Sequence, residues 1–338
     1  MKKVAVQQVE YGRWPNCYRL ANGYMELIVT TDVGPRVIRC GFPGGDNEFK
    51  EYPDQLGRTG GGDWRIYGGH RLWHAPEHKE HTYFPDNSPV KLERGDGAIG
   101  LVQAPETTTG IQKEIELRLA PDAAHATVIH RLRNTAALPI TLAPWALSAM
   151  APGGTAIVPL PPRGSHPEDL PPANSLILWK YTDMSDPRWT WGRQYVLLRQ
   201  DATRGVKPQK IGAAVPDGWM AYARAGNLFL KTFRHEPDAI YPDMGCSVET
   251  FTSNEMLELE TLGPITELAP GAMVEHVEDW WLFRDVPVPR QDADVVAHIL
   301  PQVRTAGHWQ PVAHRLNPQS HRLHQTGKAI NSTNRSEP

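Results

Sequence analysis

The stretch Tyr67-Gly68-Gly69-His70-Arg71-Leu72-Trp73-His74-Ala75-Pro76-Glu77-His78 gathers imidazoles, a guanidinium, an indole and a carboxylate. Such groups are costly to bury without partners, so a segment this dense in them faces either water or a ligand. Imidazoles titrate near neutral pH and suit proton transfer, while Gly68 and Gly69 permit close backbone approach. A solvated, His-rich loop is the simpler alternative. If the segment is extended, alternation points His70, Leu72 and His74 one way and Arg71 and Trp73 the other. The spacing of His70, His74 and His78 would stack three imidazoles on one face of a helix, a metal-site pattern. Gly68-Gly69 and Pro76 work against that helix, and the chain has neither HExxH nor a cysteine pair. No metal and no cofactor are expected.

Three further segments hold candidates. In Glu255-Met256-Leu257-Glu258-Leu259-Glu260-Thr261-Leu262-Gly263-Pro264, Glu258 and Glu260 share one strand face with Leu257 and Leu259 opposite. Carboxylates just before a Gly-Pro turn sit at a sheet rim, and periodicity alone reads them as a solvated face. Asp243 and Glu249, in a turn feeding a strand, could accept hydrogen bonds from hydroxyls, and Trp145 could form a stacking platform.

The elements that position these residues read as strands. Strand candidates include Met25–Thr30, Val37–Cys40, Ile111–Leu119, Ala126–Leu132, Ile140–Ala149, Met256–Leu262 and Val274–Phe283, and several of them, Ile111–Leu119 among them, alternate with period two. The 31 Pro and 29 Gly are spread between them as turn punctuation rather than concentrated in low-complexity tracts. Helical periodicity is confined to Asp292–Leu300, with Asp292 as the N-cap and Pro301 as the stop. About a dozen strands and few short helices predict an all-β fold, a large antiparallel sandwich or a barrel. Residues 1–303 are expected to form a single domain, with Pro159–Pro172 as a long surface loop over a site. Residues 304–338, polar from about His308, are expected to form a disordered tail.

The composition narrows the partners. Lys plus Arg total 35 against 38 Asp plus Glu, a net charge of -3, which gives no basic field for nucleic acid. No apolar run is long enough to span a membrane. Cys17, Cys40 and Cys246 are odd in number and scattered, which argues against a disulfide framework and for a reducing, cytoplasmic setting. Trp occurs 11 times against 7 Phe, an excess that suits flat platforms for sugar rings or a β core filled with indoles. The sequence leaves the oligomeric state open.

Taken in order, these segments resemble the galactose mutarotase-like (aldose 1-epimerase-like) superfamily. Leu259-Glu260-Thr261, Leu268-Ala269-Pro270-Gly271 and Trp280-Trp281-Leu282-Phe283 are similar to its closing pattern. Asp32-Val33-Gly34-Pro35-Arg36-Val37 resembles its early turn, and Gly68-Gly69-His70-Arg71-Leu72-Trp73 occupies the place of its first histidine segment. The resemblance spans about residues 15–285 and implies a large antiparallel β-supersandwich that binds a small-molecule carbohydrate. It implies Glu260 as base, His74 or His70 as acid, Arg71 on a ring oxygen or hydroxyl, and Trp73 or Trp145 stacked on the ring. The chain departs from the true epimerases at Trp145–Gly154, which has no histidine where they carry a His-Pro-Tyr-Phe motif. An epimerase-type isomerase, a non-catalytic sugar-binding or sensing module, and a hydrolase or lyase using Glu77 and Glu260 therefore all stand as readings.

Overall fold

The protein, seen as a computed structural model, is described for residues 4–95, 97–203 and 207–307. Alternation becomes burial. In the strand Ile111–Leu119 every odd residue from Ile111 to Leu119 is buried and the even ones are not. Lys113 joins that buried face by ion-pairing with Glu106 at 2.7 Å and Asp86 at 3.5 Å. Strands such as His70–Ala75 and Leu257–Leu262 are buried on both faces, because loops and aromatic side chains cover their outer side.

The strands form two antiparallel sheets. The larger, 11-stranded sheet runs Ala5–Tyr11, Trp14–Ala21, Glu26–Thr30, Arg36–Gly41, His70–Ala75, Ile140–Met150, Leu257–Leu262, Val248–Thr252, Gln209–Ala213 and Leu176–Leu178, with Thr266–Leu268 pairing Ile140–Met150 to the side. The second has 10 strands, with Met273–Arg284 and His125–Asn134 at its centre. Between them lies a continuous apolar core that includes Leu72, Leu117, Val128, Met150, Leu259 and Trp280. This is the all-β sandwich that the strand pattern predicts.

The helical segment differs from expectation. Asp292–Asp294 is α-helical, Val295–Ile299 forms a π turn, and Leu300–Thr305 continues as α-helix straight through Pro301. The π turn restarts the hydrogen-bond ladder, so Pro301 falls in the first turn of the last piece, where no N–H is needed. The N-cap is Gln291, and Asp292 instead accepts the backbone N–H groups of Arg193 and Gln194 at 2.7 and 3.0 Å. Val295, Ile299 and Val303 then cover the outer face of the second sheet against Leu197, Trp219 and Leu230. This helix runs past residue 303, where the tail was expected to begin, and residues 308–338 lie outside the described residues. Pro159–Pro172 is mostly exposed, as a surface loop. No helix among the described residues is long and apolar enough to cross a membrane.

Candidate functional site on the outer face of the larger sheet

The His-rich segment is a strand. Gly68 and Gly69, at φ +96° and +71°, turn the chain into it where no side chain would fit. A Cβ on Gly68 would lie 2.0 Å from the Lys50 carbonyl oxygen, and one on Gly69 would lie 2.2 Å from that of Val37. The strand His70–Ala75 is thereby seated between Arg36–Gly41 and Ile140–Met150. Being extended, it sends its alternate residues to opposite sides of the sheet.

His70 and His74 take the inner side. His70 pairs in register with Ser148, which pairs with Leu259, and its ring packs on Trp280 of the second sheet at 4.7 Å. A chain of bonds fixes its tautomer. His130 Nδ1 must donate to the His276 carbonyl, 2.9 Å away, so His130 Nε2 accepts from His70 Nε2–H at 2.7 Å. His70 Nδ1 then accepts the Ser148 hydroxyl at 2.8 Å. Burial holds the pKa of both rings below the ordinary imidazole value, so both are neutral. Nearby, Lys231 ion-pairs with Glu278 at 2.8 Å and donates to the Leu259 carbonyl at 3.2 Å, while Thr261 accepts from His276 Nε2 at 2.7 Å.

The outer side is different in kind. Directly paired residues share a face, so Arg36, Arg71, Leu147, Glu260 and Glu249 form one row across five strands. Glu258, Phe251 and Lys210 form the row two residues away on the same face, and Trp73 and Trp145 stand opposite each other beside them. At the centre is Lys210, whose Nζ lies 2.7 Å from a Glu249 oxygen and 3.1 Å from Glu260 Oε2. It also sits over the rings of Trp145 and Trp179, at 4.8 and 4.7 Å from their centroids. Trp145 Nε1 donates to Glu260 Oε2 at 2.9 Å. Arg71 pairs with Glu258 at 2.8 Å and lies over Trp73 at 4.4 Å. Trp64 and Tyr83 pack against Trp73 and complete an aromatic surround.

These charges are buried: Glu260 is 0% exposed, Glu249 1% and Lys210 5%. Burial raises the pKa of both carboxyl groups, most strongly for Glu249, against the pull of Lys210. Burial also works against the charge on Lys210, but the two carboxylates outweigh it and hold the ammonium firmly protonated. One cation between two carboxyl groups leaves a surplus negative charge, which a dry site rejects by keeping a proton. The Trp145 N–H favours an ionised Glu260, and burial pushes Glu249 up the more strongly of the two. Side by side on one face, the sheet thus presents two carboxyl groups bridged by one ammonium. Glu260 Oε1, Glu249 Oε1, Arg71 Nε and Nη1, Arg36 Nε and Nη2 and Trp73 Nε1 have no hydrogen-bond partner within the described residues. Together they offer donors and acceptors of the kind a polyhydroxylated ligand uses.

The sequence-predicted residues therefore divide. Glu260, Glu249, Arg71, Trp73 and Trp145 meet on the outer face, whereas His70 and His74 lie on the inner one. The expected arrangement of Glu260 with either histidine across one sugar ring does not hold, because the sheet itself stands between them. Trp145 supports Glu260 by a hydrogen bond and is 2% exposed, so it is no free stacking platform. Glu77 is exposed and accepts the Tyr83 hydroxyl. Asp243 sits in the turn Pro242–Gly245 at φ +50° and acts on Glu249 through its charge alone. Lys210, Trp64, Trp179 and Tyr181 were not anticipated. Burial pushes the Tyr181 hydroxyl up to about 12, with Lys210 opposing and Glu260, Glu77 and Glu249 adding to the rise. Lys210 left one faint signal, a lone charge in the otherwise uncharged Ile211-Gly212-Ala213 run.

No protein-family model matches the chain, and no curated protein does. Solved structures do. A galactose mutarotase-like protein from Lactobacillus casei superposes with a TM-score of 0.53 at 10% identity, covering 79% of this chain and 100% of its own. A protein from Synechocystis sp. PCC 6803 gives 0.55 at 10% identity, over 82% and 99% of the two chains. A galactose mutarotase related enzyme from Lactobacillus acidophilus gives 0.50 at 9% identity, over 81% and 99%. At such identities the likeness speaks of architecture. The chain has the galactose mutarotase-like fold, as its motif order implied.

Proposed function

We propose that this protein binds a sugar on the outer face of its larger sheet and interconverts its ring forms as an aldose 1-epimerase-like isomerase. Glu260 takes the proton of the anomeric hydroxyl while Glu249 gives its proton to the ring oxygen. The bond between C1 and the ring oxygen breaks to leave the open-chain aldehyde. After rotation, reclosure on the other carbonyl face passes the proton on Glu260 to the carbonyl oxygen, while the attacking hydroxyl gives its proton back to Glu249. Arg71, whose Nε and Nη1 have no partner among the described residues, holds a ring oxygen or hydroxyl. Lys210 keeps the two carboxyl groups together and fixes how many protons they share. The observation that carries this reading is Lys210 lying 2.7 Å from Glu249 and 3.1 Å from Glu260, in a buried setting that raises the pKa of both carboxyl groups. A cytoplasmic setting belongs to the same reading, supported by three buried cysteines that form no disulfide.

The experiment is polarimetry of fresh α-anomers of aldohexoses, with binding followed by calorimetry in parallel. Wild-type protein is expected to accelerate mutarotation, and Glu260→Gln to lose about 10²–10⁴-fold of that rate, the range for removing a general base. A wild type that neither binds nor accelerates any sugar tested would overturn the proposal. One observation favours a second reading, a sugar sensor: no imidazole of the described residues reaches this face next to Glu260. Saturable binding without acceleration would select it.

A further inference from the structure

Just past the site strand the chain folds back on itself at one end of the sandwich. The turn from His78 to Thr82 is closed by the N–H groups of His81 and Thr82 on the His78 carbonyl, at 3.1 and 2.8 Å. The fully buried Thr82 hydroxyl accepts the His78 N–H at 2.8 Å. This turn brings the rings of His78 and His81 to 4.6 Å between centroids, tilted by 32°. A ring nitrogen of each and a Glu80 carboxylate oxygen all lie within 4.8 Å of one another. Beside them opens a cavity of about 430 Å³ lined by His74, Glu77, His78, His81, Ile111 and Leu142 among others. His74 is only 7% exposed, hydrogen-bonds to the His81 backbone, and leaves its Nε2 without a partner. An imidazole nitrogen buried beside a cavity with nothing to bond needs an explanation.

We propose that His78, Glu80 and His81 hold a divalent transition-metal ion, zinc foremost, at the mouth of this cavity, with His74 facing it from within. Zinc takes imidazole nitrogen and carboxylate oxygen at about 2.0–2.2 Å, which places neighbouring donors about 3.3 Å apart in a tetrahedron. Exposed side chains 4.8 Å apart reach that spacing by small rotations on a turn already fixed by its backbone bonds. The His78 ring accepts the Glu80 N–H on Nδ1 at 3.3 Å, a long bond that is easily given up. Two imidazoles and a carboxylate leave a coordination position open, as in zinc sites that do chemistry. Pro76 rules out the helical His70, His74, His78 set, and the turn after it builds this other one. A further trio, His70, His130 and Glu278, is equally close-set. Its donors are taken up by one another, by Ser148 and by the Lys231 ammonium, so it has no room for a cation.

The test uses the full chain without a histidine tag, stripped with a chelator and titrated with zinc chloride by calorimetry and thermal shift. The expected result is one zinc per chain and a raised melting temperature. Affinity is expected to fall at least about tenfold in His78→Ala and in His81→Ala, with unchanged circular dichroism. No saturable binding, or binding that both variants retain in full, would overturn the site.

Discussion

Glu249 and Glu260 face each other from adjacent strands, and only Lys210 makes that tolerable. Two carboxylates buried without it would each have to take up a proton. Even with it, the Glu249 carboxyl is held well above its ordinary value of 4.5. A carboxyl whose pKa is higher in the folded than in the unfolded chain lends its stability at low pH. That stability is lost as the pH climbs from the unfolded value toward the folded one. Glu249→Gln removes this liability. The variant should match the wild type in urea midpoint near pH 4.5 and gain on it as pH rises, by up to about 1.4 kcal/mol per pH unit. A difference independent of pH would mean that Glu249 is ionised in the fold. None of this could be read from the sequence, where Glu249 was one acceptor among several. Lys210 sits in Gln209–Ala213, a strand buried on both faces that shows no alternation to mark it.

At the scale of elements, alternation was informative where one face met the core and the other met water. Ile111–Leu119 was legible for that reason, to the residue. The edge strand Ala5–Tyr11 was not, because it lies in partial contact with solvent on both faces. His70–Ala75 could be placed only conditionally. Its residue types gave the two faces, but which face meets the second sheet is set by strands distant in sequence. The same limit explains the histidines: their motif marked the right strand, and packing sent them inward. The C-terminal helix shows a cap-like residue put to another use. Asp292 bonds two backbone N–H groups of the Trp191-to-Tyr195 hairpin rather than its own helix. Asp292→Ala should therefore cost about 1.5–3 kcal/mol, the worth of a charged hydrogen bond. Hydrogen exchange should quicken in both the hairpin and Asp292–Thr305. Faster exchange in the helix alone would contradict that tie.

At the scale of the whole molecule, the two sheets do different work. The larger sheet carries the candidate site on its outer face, while the second sheet supplies apolar support together with the buried polar groups His130, Lys231, His276 and Glu278. On its inner face Lys231 and Glu278 grip Leu259 and Thr261, the two neighbours of Glu260, so the strand that bears the carboxylate is anchored from behind. The architecture was legible from the order of its closing segments, Leu-Glu-Thr, Leu-Ala-Pro-Gly and the final aromatic strand. The proposed acid partner was not, because its environment is set by burial and by Lys210. In the proposed reaction the proton donor is Glu249 and not a histidine. The most direct measurement is the rate of sugar mutarotation by Glu249→Gln and His74→Gln, side by side with wild type. A loss of about 10²-fold or more in Glu249→Gln with His74→Gln near the wild-type rate is the predicted result. Full activity in Glu249→Gln, with the loss in His74→Gln instead, would contradict it.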